Sequence, residues 1–290
     1  MLIVHISDLH LTANNRLAYG VADTLAAVST TCDLLARMRP TPDIILVTGD
    51  IADDGSWESY QTALDLFNTL PCPVFMVPGN HDHKGRLAHV FADHTYLHRP
   101  VQGTQDSYLC YALEDFPLLL IGLDTVHPGR HGGGLDKDRL SWLKSVLSKN
   151  QEKPTVLFMH HPPFASGIGH MDQAPFACAQ DFHNLLSRNP QVQRVLCGHL
   201  HRSITRPFAG CMACVAPGIG MQLLLDLTPK APSQFILEPP AYLIHTQVPD
   251  WQGGLSLTTH MGVVPMQEAQ FGAPHPFFNV ILPSGSMDIT

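Results

Sequence analysis

Five apolar runs in this chain each end in side chains that bind metal ions. Asp8 and His10 follow "LIVHIS", Asp50 follows "DIILVTG", and Asn80 and His81 follow "PVFMVPG". His160 and His161 close "TVLFM", and His199 and His201 follow "RVLCG". Taken singly, Asp and Asn at strand ends are ordinary turn residues. Together with the histidines they make a mixed oxygen and imidazole donor set: Asp8, His10, Asp50, Asn80, His160, His199 and His201. These are too many donors for one tetrahedral zinc, and they suit two divalent or trivalent ions sharing a bridging carboxylate. Paired ions about 3.5–4 Å apart clamp a phosphoryl group and generate hydroxide at neutral pH. Asn80 adds an oxygen ligand without charge, so it leaves the Lewis acidity of the ions undiminished.

The donors lie far apart in sequence, so a scaffold must bring them together. Leu2 to Ser7 predicts a strand, and Val21, Leu25, Val28, Cys32, Leu35 and Met38 recur near helical spacing until Pro40 and Pro42 stop the helix. "DIILVTGD" reads as a second strand, Ser56 as the N-cap of a helix reaching about Leu70, and "PVFMVPGN" as a third strand. A strand in Pro117 to Thr125, a helix from about Asp136 to Lys149, the strand "TVLFMHH", a helix near Cys178 to Ser187 and the strand "VQRVLC" follow. Strands alternating with helices indicate a parallel sheet covered by helices. Sites in such sheets form beyond the carboxyl ends of the strands, where every donor falls. From about Ser203 the pattern turns strand-rich, and after Thr228 only short strands such as "AYLIHTQ" and "GLSLTTHM" punctuate a Pro- and Gly-dense tail. The expected organisation is a catalytic domain over 1–228 and a C-terminal extension over 229–290 acting as lid, oligomer contact or both.

Composition excludes several classes. The formal charge is −8 with only 17 Lys+Arg, whereas a phosphate-backbone binder needs a basic face, so a nucleic-acid polymer is not an expected partner. The seven Cys have no framework spacing, and the lone "CMAC" (Cys211, Cys214) reads with them as buried reduced thiols. "MLIVHISD" opens directly on a strand, without a basic segment or cleavage site, so no signal peptide is expected. No apolar run approaches the roughly 20 residues of a membrane span. The expectation is a cytoplasmic protein with no membrane partner.

Read in order, "DLH", "GD", "GNHD", "HHPP" and "GHLH" resemble the calcineurin-like metallophosphoesterase superfamily, over Asp8 to His201. "HISDLH", "GDIADDG" and "HHPPFASGIGHMD" look most like its bacterial glycerophosphodiesterase and class III cyclic-nucleotide phosphodiesterase branch. The resemblance implies an α/β sandwich of two mixed sheets flanked by helices, with a strand-rich C-terminal extension. It implies one metal held by Asp8, His10, Asp50 and His201, and another held by Asp50, Asn80, His160 and His199, with Asp50 bridging. The ions would be iron, manganese, zinc or cobalt. His81 matches the family's non-ligand histidine beside the scissile phosphate, and either Asp53 or Asp82 would orient it. The implied reaction is hydrolysis of a small phosphodiester, a cyclic nucleotide or glycerophosphodiester, by in-line attack of a metal-bound hydroxide. A phosphomonoesterase and a non-catalytic scaffold of the same fold are the alternatives. The branch often assembles through its C-terminal part, so a homo-oligomer is expected.

Other residues carry weaker signals. His5 sits inside a strand and is expected to be a satisfied core histidine; His83, His94, His98 and His131 are expected on loops or the surface. His161 is expected behind the ligands. In "SGIGHMD", His170 or Asp172 is positioned to arch over the metals and touch substrate. The run "HGGG" (Gly132 to Gly134) opens no helix with P-loop spacing and reads as a flexible loop. Phe277 and Phe278 are expected to bury the tail or cap the pocket.

Overall fold

The apolar runs become strands buried on both faces, as expected where helices cover a parallel sheet. The computed structural model describes residues 1–98, 108–251, 253–265 and 274–276; Phe277 and Phe278 lie outside them. The first half reads β1 (Leu2–Ile6), α1 (Thr24–Ala36), β2 (Ile44–Val47), α2 (Trp57–Phe67), β3 (Val74–Met76) and α3 (Lys84–Val90). The second half adds β4 (Tyr111–Leu113), β5 (Leu119–Leu123), α4 (Lys137–Lys149), β6 (Thr155–Met159), α5 (Ala179–Leu186) and β7 (Val192–Cys197). Strands β8 (Ile204–Phe208), β9 (Cys211–Val215), β10 (Gln222–Leu223), β11 (Gln234–Ile236), β12 (Ala241–Pro249), β13 (Leu255–Val263) and β14 (Pro274–Pro276) complete the order.

Two mixed sheets result. One runs β13-β12-β1-β2-β3 and the other β4-β5-β6-β7-β9-β8, with a small third sheet β10-β11-β14. Strands β1, β2 and β3 are parallel, in register Ile3↔Ile44 and Ile45↔Val74. Strands β5, β6, β7 and β9 are parallel too. Each unit therefore points its carboxyl ends one way. The main core lies where Ile3, Leu46, Val156, Phe158 and Leu196 meet with almost no solvent exposure. Residues beyond 228 enter this architecture directly: β12 runs antiparallel along β1, pairing Leu2 with Thr246 and His5 with Leu243.

Local signals set the helix starts. The side chains of Asp23, Ser56 and Asp136 accept the backbone N–H of Ala26, Ser59 and Arg139 and so cap α1, α2 and α4. His5 is fully buried, its Nε2 2.9 Å from Thr48 Oγ1 and its Nδ1 3.4 Å from His245 Nε2. His83 caps α3, its Nδ1 accepting Arg86 N–H. The glycines of "HGGG" do not make a loose loop. Ala177 N–H donates to Gly133 O, Gly134 N–H donates to Thr125 O, and a Cβ on Gly133 would lie 2.2 Å from the His161 ring. Glycine is required there by close approach.

Candidate metal centre

Two motif glycines explain why the loops after β2 and β3 fit together. A Cβ on Gly79 would fall 2.1 Å from Asp50 Oδ1, and one on Gly49 (φ +92) would fall 2.6 Å from His160 Nδ1. Any side chain would push the donors apart. The donors themselves turn sharply: Asp8, His10, Asp50, His199 and His201 all have positive φ, between 46° and 70°. That region is uncommon for residues with a Cβ, and such outliers cost of order 1 kcal/mol each and gather at functional sites. Backbone bonds hold the turn. Leu9 N–H and His10 N–H both donate to Asp50 O at 2.9 Å, and His199 N–H donates to the Asp8 carboxylate at 3.1 Å.

The side chains then converge. Ligand atoms of Asp8, His10, Asp50 and His201 lie within 4.8 Å of one another, and all four residues are buried. His160 Nε2 sits 3.0 Å from Asn80 Oδ1 and 3.3 Å from Asp50 Oδ2, and the His160 and His199 rings are 5.1 Å apart. Asp50 thus stands between the two groups.

Ring tautomers show that these residues fit cations. His10 Nδ1 meets Asp53 Oδ1 at 2.9 Å, His201 Nδ1 meets Met221 O at 2.9 Å, and His160 Nδ1 meets Thr48 O at 2.7 Å. An oxygen acceptor at each Nδ1 holds a proton there, so the Nε2 of a neutral ring is a bare lone pair; His160 Nε2, facing Asn80 Oδ1 and Asp50 Oδ2, is where the further proton sits without metal. His10 Nε2 and His201 Nε2 then face each other at 3.2 Å. Two lone pairs at that distance repel unless a cation lies beside them.

The metal-free electrostatics agree. Burial opposes a charged His160, yet Asp50 and Asp8 pull it up to about 9. Burial, despite His160, raises Asp8 to about 6, and burial lowers His201 to about 4. Against burial, His160 and His81 hold Asp50 well below the ordinary carboxylate range. At pH 7 the metal-free site therefore carries a proton on His160, which a cation must displace. Metal loading at pH 7 should release about one proton at this position, and affinity should rise roughly tenfold per pH unit until about pH 9. Calorimetry in buffers of different protonation enthalpy measures the release; a proton count near zero would contradict the assignment.

His161 falls beside His160 and His199 but has no nitrogen to offer. Burial, then the charge of His160, keeps it neutral. Its Nε2–H donates to His131 O at 3.0 Å, and its Nδ1 accepts the Thr125 hydroxyl at 2.8 Å. His81 stands at the opposite end, its ring edge-on to His10 with centroids 4.8 Å apart. Its Nδ1 lies 3.0 Å from Asp53 O and 3.5 Å from Asp53 Oδ1. Asp82 turns elsewhere: its carboxylate accepts the N–H of Gly79, Ile51 and Ala52 and the hydroxyl of Tyr60. The geometry thus pairs His81 with Asp53 and makes Asp82 the buried tie between the loops after β2 and β3.

The structure brings seven donors and His81 together, and His170 makes no hydrogen bond to them among the described residues. Neither ring nitrogen of His170 has a hydrogen-bond partner among the described residues. Asp172 holds its own loop, accepting Ser166 N–H and Oγ–H and Gly167 N–H. Sequence reasoning missed Tyr19, whose hydroxyl bonds the Asp53 side chain and whose pKa rises through burial, then through Asp53 and Asp50. It sits in "RLAYG", away from any strand end, where no pattern marks it.

Comparison with known proteins gives this arrangement a lineage. Residues 1–203 match the family described as calcineurin-like phosphoesterase. The chain is 33% identical over 280 residues to a probable glycerophosphodiester phosphodiesterase GpdQ of Arcobacter nitrofigilis, covering 96% of this chain and 97% of that one. It is 27% identical over 220 residues to the 3',5'-cyclic adenosine monophosphate phosphodiesterase CpdA of Escherichia coli, covering 76% of each. Among solved structures, a dimetal phosphatase from Danio rerio superposes with a TM-score of 0.61 at 15% identity, covering 91% of this chain and 99% of that one; at this identity the likeness shows the fold alone. The match across 1–203, together with the near full-length GpdQ relative, makes the chain a member of the calcineurin-like phosphoesterase family.

Proposed function

We propose that the chain hydrolyses small phosphodiesters at a two-metal centre, with glycerophosphodiesters or cyclic nucleotides as the substrate class. The observation that carries this is the convergence of imidazole Nε2 atoms and carboxylate oxygens around Asp50. Asp8, His10, Asp50 and His201 would hold one ion, and Asp50, Asn80, His160 and His199 the other. Oxygen and imidazole donors without thiolate suit iron, manganese, zinc or cobalt. When bound, the pair supplies positive charge for the phosphoryl oxygens and acidifies water.

The protein's own residues do the rest. Burial opposes protonation of His81, but Asp50 and Asp53 raise it above the ordinary imidazole range, favouring the imidazolium. With Nδ1–H on Asp53 O, the Nε2–H is the proton for the departing alkoxide. Asn80 orients the phosphoryl group, and Asp53 fixes His10 and His81 together.

A diester, rather than a monoester, matches the charge available. Among the described residues no Lys or Arg forms an ion pair with the cluster: Lys84 pairs with Asp124 at 2.9 Å, and Arg16 with Asp54 at 3.4 Å. A monoester dianion would bring a second negative charge with no Lys or Arg ion-paired in the cluster to meet it. Metal-replete protein should therefore turn over bis(4-nitrophenyl) phosphate faster than 4-nitrophenyl phosphate, and a chelator should slow the diester by about 100-fold or more. Equal rates with and without chelator would defeat the reading; a faster monoester would redirect it to a phosphomonoesterase.

A further inference from the structure

We infer that the apolar cavity beside His199 receives the non-departing substituent of the diester, and that it selects a flat apolar or aromatic group over a polyol. This rests on the phosphodiesterase reading above and narrows its substrate class. The cavity has a volume of about 180 Å³. It is lined by Pro162, Pro163, Phe164, Met171, Phe176 and Leu200, and it borders the metal centre through His161 and His199. Pockets for drug-sized ligands run to about 300–1,000 Å³, so this one suits a single ring system.

Apart from His199, its polar side chains already have hydrogen-bond partners. Both nitrogens of His161 are bonded, to His131 O and to the Thr125 hydroxyl. Asp172 lines the cavity too, but its Oδ1 accepts Ser166 N–H and Oγ–H and its Oδ2 accepts Gly167 N–H. Among the described residues no Lys or Arg lines it. The hydroxyls of a glyceryl group would leave water there with no Lys or Arg to receive them and, besides His199, only an Asp172 carboxylate that already accepts three hydrogen bonds, which is unfavourable. A ring would bury apolar surface at no such cost.

Position assigns the non-departing side. His81, the proton donor to the departing oxygen, clusters with His10 and Asp53, whereas the cavity opens on the His160–His199 side. Gly133 allows its loop to press directly against His161 and form part of the cavity wall.

The test uses metal-replete full-length protein and three diesters with one leaving group, 4-nitrophenol, and a phenyl, methyl or glyceryl second substituent. The expected kcat/KM for the phenyl ester exceeds both others at least tenfold. Ala179, a half-buried lining residue at the start of α5, can be enlarged to fill the cavity. Ala179→Trp, or Ala179→Leu if the first folds poorly by thermal melting, should collapse the phenyl-to-methyl ratio to below threefold. A glyceryl ester as good as the phenyl ester, or a ratio untouched in either folded variant, would overturn the inference. Failure of all three esters to turn over would instead remove the diesterase reading, an outcome distinct from a changed order among them.

Discussion

Asp50→Asn should empty both metal positions together and lower diester turnover by about 10³-fold or more, equivalent to roughly 4 kcal/mol of barrier. Asp50 Oδ2 lies 3.3 Å from His160 Nε2 and 3.7 Å from His10 Nε2, so one oxygen reaches toward both groups of donors. The charge matters more than the shape. His160 and His81 hold this carboxylate ionised despite complete burial, and an amide offers no charge to either ion. Asp50 Oδ1 also accepts His81 N–H at 2.9 Å, a bond that an amide oxygen can keep. The fold should therefore survive, with thermal melting of the metal-free variant within a few degrees of the parent. Elemental analysis should fall from two ions per chain to fewer than one. Retention of two ions, with turnover within tenfold of the parent, would refute the bridging role.

The second large effect is expected at His81, and its signature is different. His81→Ala should leave metal content unchanged, because both of its ring contacts are to Asp53 and His10 rather than to a donor lone pair. Turnover should fall by about 10²–10³-fold, within the range for loss of a positioned general acid. The loss should depend on the leaving group. A 4-nitrophenolate departs without protonation, so its ester should lose least; an alkoxide needs the proton, so an alkyl diester should lose most. A uniform loss across leaving groups would assign His81 to charge stabilisation rather than proton donation. A variant that also loses metal would place it among the ligands.

The donors were legible in the sequence for a definite reason. Each of Asp8, Asp50, Asn80, His160 and His199 follows an apolar strand within a few residues, so the strand order carries it to one end of the sheets. The helix boundaries moved only as far as their caps dictate: Asp23 starts α1 at Thr24, after the apolar spacing begins at Val21. What could not be read is what depends on the backbone. Met221 O and Thr48 O fix the tautomers of His201 and His160, and a carbonyl leaves no trace in residue type. The choice between Asp53 and Asp82 is open in the sequence because Asp82 adjoins His81 while Asp53 follows Asp50 by three residues; only the turn at Gly79 shows that Asp82 points back to Ile51 and Ala52. "HGGG" looked loose because glycine signals either freedom or contact, and here the contact partners, His161 and Ala177, lie tens of residues away.

The pairing of β12 with β1 has a consequence for how the protein is made. On the ribosome β1 emerges long before its antiparallel neighbour, so one flank of β1 waits while β2 through β11 are made. Contacts this distant in sequence slow folding and prolong exposure of unpaired strand edges. Asp8, at the tip of that strand, also waits for His199 and His201. A nascent chain would therefore carry a half-built cation trap until β7 and the turn beyond it appear.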